Sequence, residues 1–261
     1  MKERLDRILV SRGLVQSREV AKALVIAGNV FVDGIKVTKA GTFTSQDADI
    51  VLKDARLPYV SRGGLKLEAA IDYFRIDVKN KVVMDVGAST GGFTDCLLQK
   101  GAGKVYAIDV GYGQLAWSLR KDPRVIVMER TNVRYLDAMD EGEASRFSGQ
   151  EFADLRDHLV DIAAIDVSFI SLRKVIPVVK KFLRKEGVII ALVKPQFEVG
   201  KGEVGKGGIV REEEKRLQAV KDIQRDSESH GFRTAGVFQS PVPGQKGNRE
   251  YFIFMKGENN G

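Results

Sequence analysis

From Lys81 onward, short apolar runs alternate with segments whose apolar positions recur at helical spacing. Val82–Val86, Val105–Val110, Val125–Met128, Ile162–Val167 and Val188–Val193 read as strands. Helical segments fall around residues 91–100, 114–121, 171–183 and 211–230. This alternation predicts a parallel sheet covered on both faces. The tail departs from it. Phe232–Gln239 and Tyr251–Met255 are apolar runs separated only by a loop, which permits antiparallel pairing at the sheet edge. The expected class is therefore α/β, with a mostly parallel seven-stranded, Rossmann-like sheet.

Residues 1–52 follow another pattern. Leu5, Ile8 and Leu9 lie at helical spacing, with Arg4, Arg7 and Arg12 on other faces. Ser17 is placed to cap a second helix carrying Val20, Ala21, Leu24 and Val25, and Gly28 to end it. Val30-Phe31-Val32 and Ile35-Lys36-Val37 flank Asp33-Gly34, a two-residue hairpin signal. One more strand is expected near Ile50-Val51-Leu52. The reading is a small α+β unit over residues 1–55, a linker over 56–64 containing Arg56-Leu57-Pro58-Tyr59-Val60, and a larger domain over 65–261.

Composition narrows the picture. The 261 residues suffice for one medium domain and a small one, and the net charge of +7 favours an anionic partner such as nucleic acid. Cys96 is the single cysteine, so no internal disulfide can form, and His158 and His230 do not complete a zinc cluster with it. No metal is expected. The aliphatic run Val188–Val193 falls far short of the roughly 20 residues that span a bilayer. The N-terminus has no apolar stretch of signal-peptide length, so the expectation is a cytoplasmic protein without membrane insertion.

The candidate chemistry begins at Gly87-Ala88-Ser89-Thr90-Gly91-Gly92, between the first strand and a helix. A dinucleotide fingerprint needs a second glycine that this turn lacks. A second loop, Gly200 to Lys206, has the spacing of a phosphate loop. However, Gly207 stands where a magnesium-binding Ser or Thr belongs, and Glu203 would repel phosphate. That loop reads as surface. A phosphate-free nucleoside ligand fits better. Asp85, Asp109 and Asn132 fall at three successive strand ends, where open parallel sheets bind ligands. Each alone reads as a turn or cap residue. Together they point to S-adenosylmethionine and a methyltransferase.

Absences narrow the reaction. Cys96 lies within a helix rather than in a Pro-Cys pair, against pyrimidine C5 methylation. No Pro-Pro occurs, against the usual amino-nitrogen motif. Asp166-Val167-Ser168-Phe169-Ile170-Ser171 comes at the end of the fourth strand, and Lys194-Pro195-Gln196-Phe197-Glu198 at the end of the fifth.

Two resemblances are carried by these motifs. Arg4-Leu5-Asp6, Ser17-Arg18 and Gly28-Asn29-Val30-Phe31-Val32-Asp33-Gly34 resemble the S4 RNA-binding domain. This arrangement says more than the modest excess of eight Lys or Arg over four Asp or Glu in residues 1–39. The whole chain resembles the TlyA family, also called hemolysin A: S4-domain rRNA 2′-O-methyltransferases with an FtsJ-like catalytic domain. Tyr59 to Leu67, the glycine turn, Asp109 to Leu115, the two strand-end segments at 166–171 and 194–198, and Gly247 to Phe252 carry the match.

The resemblance implies a Lys-Asp-Lys-Glu tetrad at Lys66, Asp166, Lys194 and Glu250. It implies S-adenosylmethionine held by Asp85, Gly87, Ala88, Ser89, Thr90, Gly91, Gly92, Phe93, Asp109, Asn132 and Asp166. RNA contacts are expected at Arg4, Arg7, Arg18, Lys22 and Arg62, with ribosomal RNA or ribosomal subunits as partner and cytidines of 16S rRNA, 23S rRNA or both as target. The competing readings are a hemolysin-type membrane-active protein, or an RNA-binding protein with an inactive methyltransferase-like domain.

The chemistry of such a tetrad can be argued independently. A ribose hydroxyl is a very weak acid, so a catalyst must hold it in line and accept its proton. Two partly desolvated amines brought together disfavour each other's charged form. Lys194 is the expected base, Lys66 its neighbour, and the two carboxylates orient the amines.

Overall fold

The computed structural model describes residues 2–15, 18–53, 58–136 and 149–257. In the N-terminal unit, β1 (Lys2–Arg4) leads directly into α1 (Leu5–Ser11), and α2 (Arg18–Ile26) packs against it. Leu5, Leu9, Ala21, Leu24, Val25 and Val30 close a small core between them. The helical spacing read from the sequence is thus the spacing of the buried face. Gly28 takes the left-handed conformation at φ +73° as the chain leaves α2, and the Asn29 N–H closes the helix end on the Leu24 carbonyl at 2.9 Å. Ser17, the expected cap, lies outside the described residues.

β2 (Val30–Val32) and β3 (Ile35–Val37) form the hairpin, and both Asp33 and Gly34 have positive φ, as its tight turn requires. β4 (Phe43–Ser45) pairs antiparallel with β1, a contact with no periodic signal in strands of this length. β5 (Ile50–Leu52) pairs with β2 where a strand was expected.

The linker region runs into helix sooner than expected. α3 (Arg62–Phe74) starts inside the 56–64 segment, and Arg56 and Leu57 lie outside the described residues. Ahead of α3, the Val60 N–H donates to Asp95 Oδ2 at 2.8 Å and Gln99 Nε2 donates to the Pro58 carbonyl at 2.7 Å. Tyr59 is buried. The segment is thereby strapped to α4 (Gly92–Gln99), the helix that follows the glycine turn.

β6 (Val82–Val86) precedes that turn. Then come β7 (Lys104–Ile108), α5 (Trp117–Arg120), β8 (Val125–Met128), α6 (Gly149–Asp157), β9 (Val160–Ile165), α7 (Ile176–Lys180), β10 (Leu183–Val193), α8 (Pro195–Glu198), α9 (Glu213–Ser229), β11 (Phe232–Gln239) and β12 (Tyr251–Gly257). The sheet has seven strands in the order β11-β12-β10-β9-β6-β7-β8. β6 to β10 are parallel, and β12 runs antiparallel between β10 and β11. The expected edge hairpin is there, with β12 inserted one place inward.

Alternation along each strand feeds two core layers. Met84 and Val86 enter the layer with Tyr106, Ile165 and α9's Ile223, whereas Val83 enters the layer with Leu67, Leu97 and Phe252.

Element boundaries differ where local chemistry overrides pattern. The expected helix over 171–183 is a short 3-10 turn, Leu172–Lys174, followed by α7, whose first turn carries Pro177. A proline ring there cannot accept helix continued from upstream. The expected helix over 114–121 shrinks to α5. β7 and β9 both end before the acids expected at their tips, so Asp109 and Asp166 stand in loops past the strands. β10 starts earlier than expected and changes register against β9 between Leu183 and Val188.

Candidate active site

Consider first the turn after β6. Gly87 has φ +89°, Ser89 +50° and Gly91 +96°, a succession of left-handed residues that folds the chain back sharply. A Cβ on Gly87 would stand 2.7 Å from the Asp166 carbonyl oxygen, so only glycine lets β6's exit pass against β9's. Asp109 accepts from the Ser89 N–H at 2.8 Å and from the Gly111 N–H at 2.6 Å. It ties the turn to the loop after β7.

Asp85 lies on β6 beneath the turn and is fully buried. Its Oδ2 accepts from Thr94 Oγ1 at 2.6 Å, and its Oδ1 has no hydrogen-bond partner among the described residues. Burial pushes this carboxyl up to about 7, with nearby Asp166 adding to the rise and the Thr94 bond opposing it. Asn132 caps the 3-10 turn after β8, its side-chain oxygen accepting from the Arg134 N–H at 3.2 Å. The cap role foreseen for it is therefore real, and it borders a cavity as well.

Two cavities meet at the turn. One, of about 310 Å³, is bordered by Arg62, Lys66, Ala88, Thr90, Gly92 and Phe93. The other, of about 320 Å³, is bordered by Asp109, Gln114, Thr131, Asn132, Ser168 and Phe169. Gly87, Ser89 and Asp166 border both, so together they form one cleft along the C-terminal ends of the parallel strands. A further hollow of about 600 Å³ opens beside it, with Arg134, Lys174, Phe169 and Phe197 on its walls. A crevice of about 500 Å³ at the opposite ends of the strands, beside Arg75, Arg184 and Phe254, contains none of the expected site residues.

Four ionisable side chains form two pairs at this cleft. Lys66, one turn into α3, places Nζ 2.6 Å from Glu250 Oε2. Glu250 precedes β12 and is 2% exposed. Gly244 makes room for it, because a Cβ there would collide with the Glu250 carboxylate. Lys194, the residue after β10, places Nζ 2.6 Å from Asp166 Oδ1 and donates to Ser168 Oγ at 2.8 Å. Lys66 and Asp166 border the same cavity, which brings the two pairs together. Two amines and two carboxylates thus stand at this cleft, and each amine has a carboxylate as its direct partner.

The loop holding Asp166 and Ser168 has a second anchor. Glu198 accepts from Ser171 Oγ at 2.6 Å and from the Leu172 N–H at 2.9 Å. Burial raises this carboxyl, and those two hydrogen bonds work against the rise. Between the anchors, Phe169 adopts φ +64° and is 88% exposed, its ring 5.0 Å from that of Phe197. Sequence pattern singled out neither Ser168 nor Gly244 as contacts of the tetrad, and a lone Ser or Gly in a loop gives no signal of that kind.

The glycine-rich loop from Gly200 is no phosphate cradle. Gly207 and Gly208 turn the chain back at positive φ, Gly205 bridges to Ile209, and the next helix begins only at Glu213. Asn248 ties it down, donating to the Gly208 carbonyl at 2.8 Å and accepting from the Val210 N–H at 3.2 Å.

In the N-terminal unit, Arg4 and Arg18 both reach the buried Asp6, at 2.9 Å each. Burial would raise the Asp6 carboxyl, but the two guanidinium partners outweigh it and hold it at about 2. These two expected RNA contacts thus also have an internal partner. Arg7 is exposed, Lys22 is half-buried, and Arg62 stands at the cleft rather than in the N-terminal unit. Among the described residues, no group of three or more His, Cys, Asp or Glu side chains could hold a metal. No described helix is long and apolar enough to cross a membrane.

A parallel sheet of this order, with a glycine turn after its first parallel strand and a cleft across the strand ends, defines a Rossmann-like methyltransferase domain. Here it follows a small α+β unit. The S4 domain family matches residues 3–47 and the FtsJ-like methyltransferase family matches residues 59–257. The chain belongs to the FtsJ-like methyltransferase family, within its TlyA or hemolysin A group. It is 44% identical over 254 residues to the 16S/23S rRNA (cytidine-2′-O)-methyltransferase TlyA of Mycobacterium tuberculosis, covering 97% of this chain and 89% of that one. It is 40% identical over 248 residues to Hemolysin A of Brachyspira hyodysenteriae, covering 95% and 97%. A solved structure of a hemolysin-named protein from Streptococcus thermophilus aligns with a TM-score of 0.71 at 40% identity, covering 99% of this chain and 89% of that one.

Proposed function

We propose that this protein methylates the ribose 2′-hydroxyl of a nucleotide in ribosomal RNA, with S-adenosylmethionine as donor and cytidine as the target. The observation that carries the reading is the meeting of Lys66, Glu250, Asp166 and Lys194 at one cleft. The family relatives named for rRNA (cytidine-2′-O)-methylation support the substrate, and the S4 domain supports an RNA partner.

The cleft fits the donor. Gly87 and Ser89 border both halves of the cleft, and Asp85, buried beneath the turn, has a carboxyl oxygen with no hydrogen-bond partner among the described residues. Asp109, in the loop just past the second parallel strand, suits ribose hydroxyls, and the backbone of residues 87–92 offers close approach without a phosphate nest. Asn132 and Asp166 border the same space. When bound, S-adenosylmethionine supplies an electrophilic methyl group on a sulfonium sulfur that leaves with its bonding pair.

The residues of this chain then have a limited task. They hold the 2′-hydroxyl in line and accept its proton as the oxygen–carbon bond forms. Lys194, as the neutral amine, takes that proton and becomes an ammonium compensated by Asp166 at 2.6 Å. Lys66, held by Glu250, orients the hydroxyl oxygen. Phe169 offers an exposed ring on which an unstacked base can lie, next to Arg134 and Lys174. The N-terminal unit docks on folded RNA through phosphates, with assembled subunits or free rRNA as the object.

Mapping 2′-O-methyl groups in rRNA from cells with and without the protein tests the proposal. A cytidine methylated only in its presence is expected. Identical maps under conditions of expression would refute it.

A further inference from the structure

Lys194 Nζ forms an ion pair with Asp166 Oδ1 at 2.6 Å and donates a hydrogen bond to Ser168 Oγ at 2.8 Å, and the residue is 9% exposed. A neutral amine nitrogen has four tetrahedral directions. One holds Cε, two hold N–H bonds, and the last holds the lone pair that accepts a proton. Coulomb attraction to the Asp166 carboxylate draws the nitrogen in without fixing rotation about the Cε–Nζ bond. The directional hydrogen bond to Ser168 Oγ fixes that rotation and restricts the lone pair to the two remaining positions.

We propose that Ser168 is a positioning residue for the proton acceptor: its hydroxyl oxygen fixes the orientation of the Lys194 amine. This rests on the reading of Lys194 as the base. Serine suits the task because its oxygen accepts an N–H without adding a second negative charge beside the amine. The loop is shaped for it. Asp166 and Ser168 hold Lys194 at one end, and Ser171 and Leu172 hold Glu198 at the other. The start of α8 and the loop after β9 are thereby locked in register at both ends. The left-handed turn at Phe169 sends that ring outward while Ser168 meets the amine. One backbone kink separates the surface offered to a base from the contact offered to the lysine.

The test uses full-length protein, labelled S-adenosylmethionine and ribosomal subunits from cells lacking the protein. Single-turnover rates are compared for Ser168→Ala, Ser168→Thr, Lys194→Ala and the Ser168→Ala/Lys194→Ala double variant. Loss of aim should slow Ser168→Ala by about 10–100-fold at saturating substrates. Its cofactor affinity and its KM for subunits should stay within about twofold of the parent, because the change acts on orientation and not on binding. Ser168→Thr keeps the hydroxyl and should restore most of the rate. In the Lys194→Ala background, removing Ser168 should cost nothing more, because its effect passes through that amine. A full rate for Ser168→Ala beside an inactive Lys194→Ala overturns the positioning role alone. So do losses that multiply in the double variant, or a rise in KM with unchanged rate. A fully active Lys194→Ala overturns the base assignment itself.

Discussion

Lys66 and Glu250 stand 184 positions apart in the chain, yet their side chains meet at 2.6 Å with almost no solvent between them and the core. One comes from a helix before the first parallel strand, the other from the loop that enters the inserted antiparallel strand. Breaking such a pair strands a charge in a dry site. Lys66→Met should therefore cost about 3–5 kcal/mol of stability, measured by denaturant unfolding. Lys66→Met combined with Glu250→Gln removes the stranded charge and should regain much of that loss, while methyl transfer stays low. Full activity in the double variant would show that the pair is structural only.

Glycines on the two sides of the cleft should separate binding from chemistry. Gly87→Ala forces a methyl group against the Asp166 carbonyl at positive φ. It should abolish measurable S-adenosylmethionine binding by calorimetry and cost about 1–3 kcal/mol of stability. Gly244→Ala pushes on the Glu250 carboxylate instead. It should retain cofactor affinity and lose turnover.

The two buried aspartates respond to pH in opposite directions. Asp6 is held at about 2 in the folded protein, below the unfolded value near 3.9, so its contribution is present above that value and is lost as pH falls toward 2. It amounts to roughly 2–3 kcal/mol at neutral pH. Asp85 is pushed up to about 7, so the native state keeps a proton that the unfolded chain releases near 4. Stability should fall as pH rises from about 4 to about 7 on its account. Unfolding free energies measured across pH should show Asp6→Asn losing acid sensitivity and Asp85→Asn losing the decline over that upper range.

RNA binding should weaken with salt in proportion to the phosphates engaged. Each phosphate-binding cation removed should reduce the slope of log K against log salt by about 0.9, by analogy with B-DNA. Arg7→Ala and Lys22→Ala should flatten the slope with little effect on folding. Arg4→Ala and Arg18→Ala should also destabilise the N-terminal unit, because each leaves the buried Asp6 with one cation fewer. Equal unfolding curves for all four would contradict that distinction.

Much of the architecture was legible because burial imposes period. The parallel strands are apolar runs since both faces are covered, and the Asp33-Gly34 hairpin follows from a turn only left-handed residues make. Short pairings such as β1 with β4 carry too few residues to show a period. The inward placement of β12 is a matter of tertiary choice, because a hairpin pattern does not say which arm meets the sheet. At the site, Lys66, Asp166, Lys194 and Glu250 were nameable by resemblance, with the carboxylates expected to orient the amines. Which carboxylate stands beside which lysine, and that Ser168 shares Lys194, depends on loops whose conformation no spacing encodes.

The most direct measurement traces labelled methyl from S-adenosylmethionine into ribosomal subunits of cells lacking the protein, with the product digested to nucleosides. The account predicts label in 2′-O-methylcytidine with the parent protein, and a loss of about 10²–10⁴-fold with Lys194→Ala while cofactor binding persists. Label on a base atom, or undiminished transfer by Lys194→Ala, would contradict it.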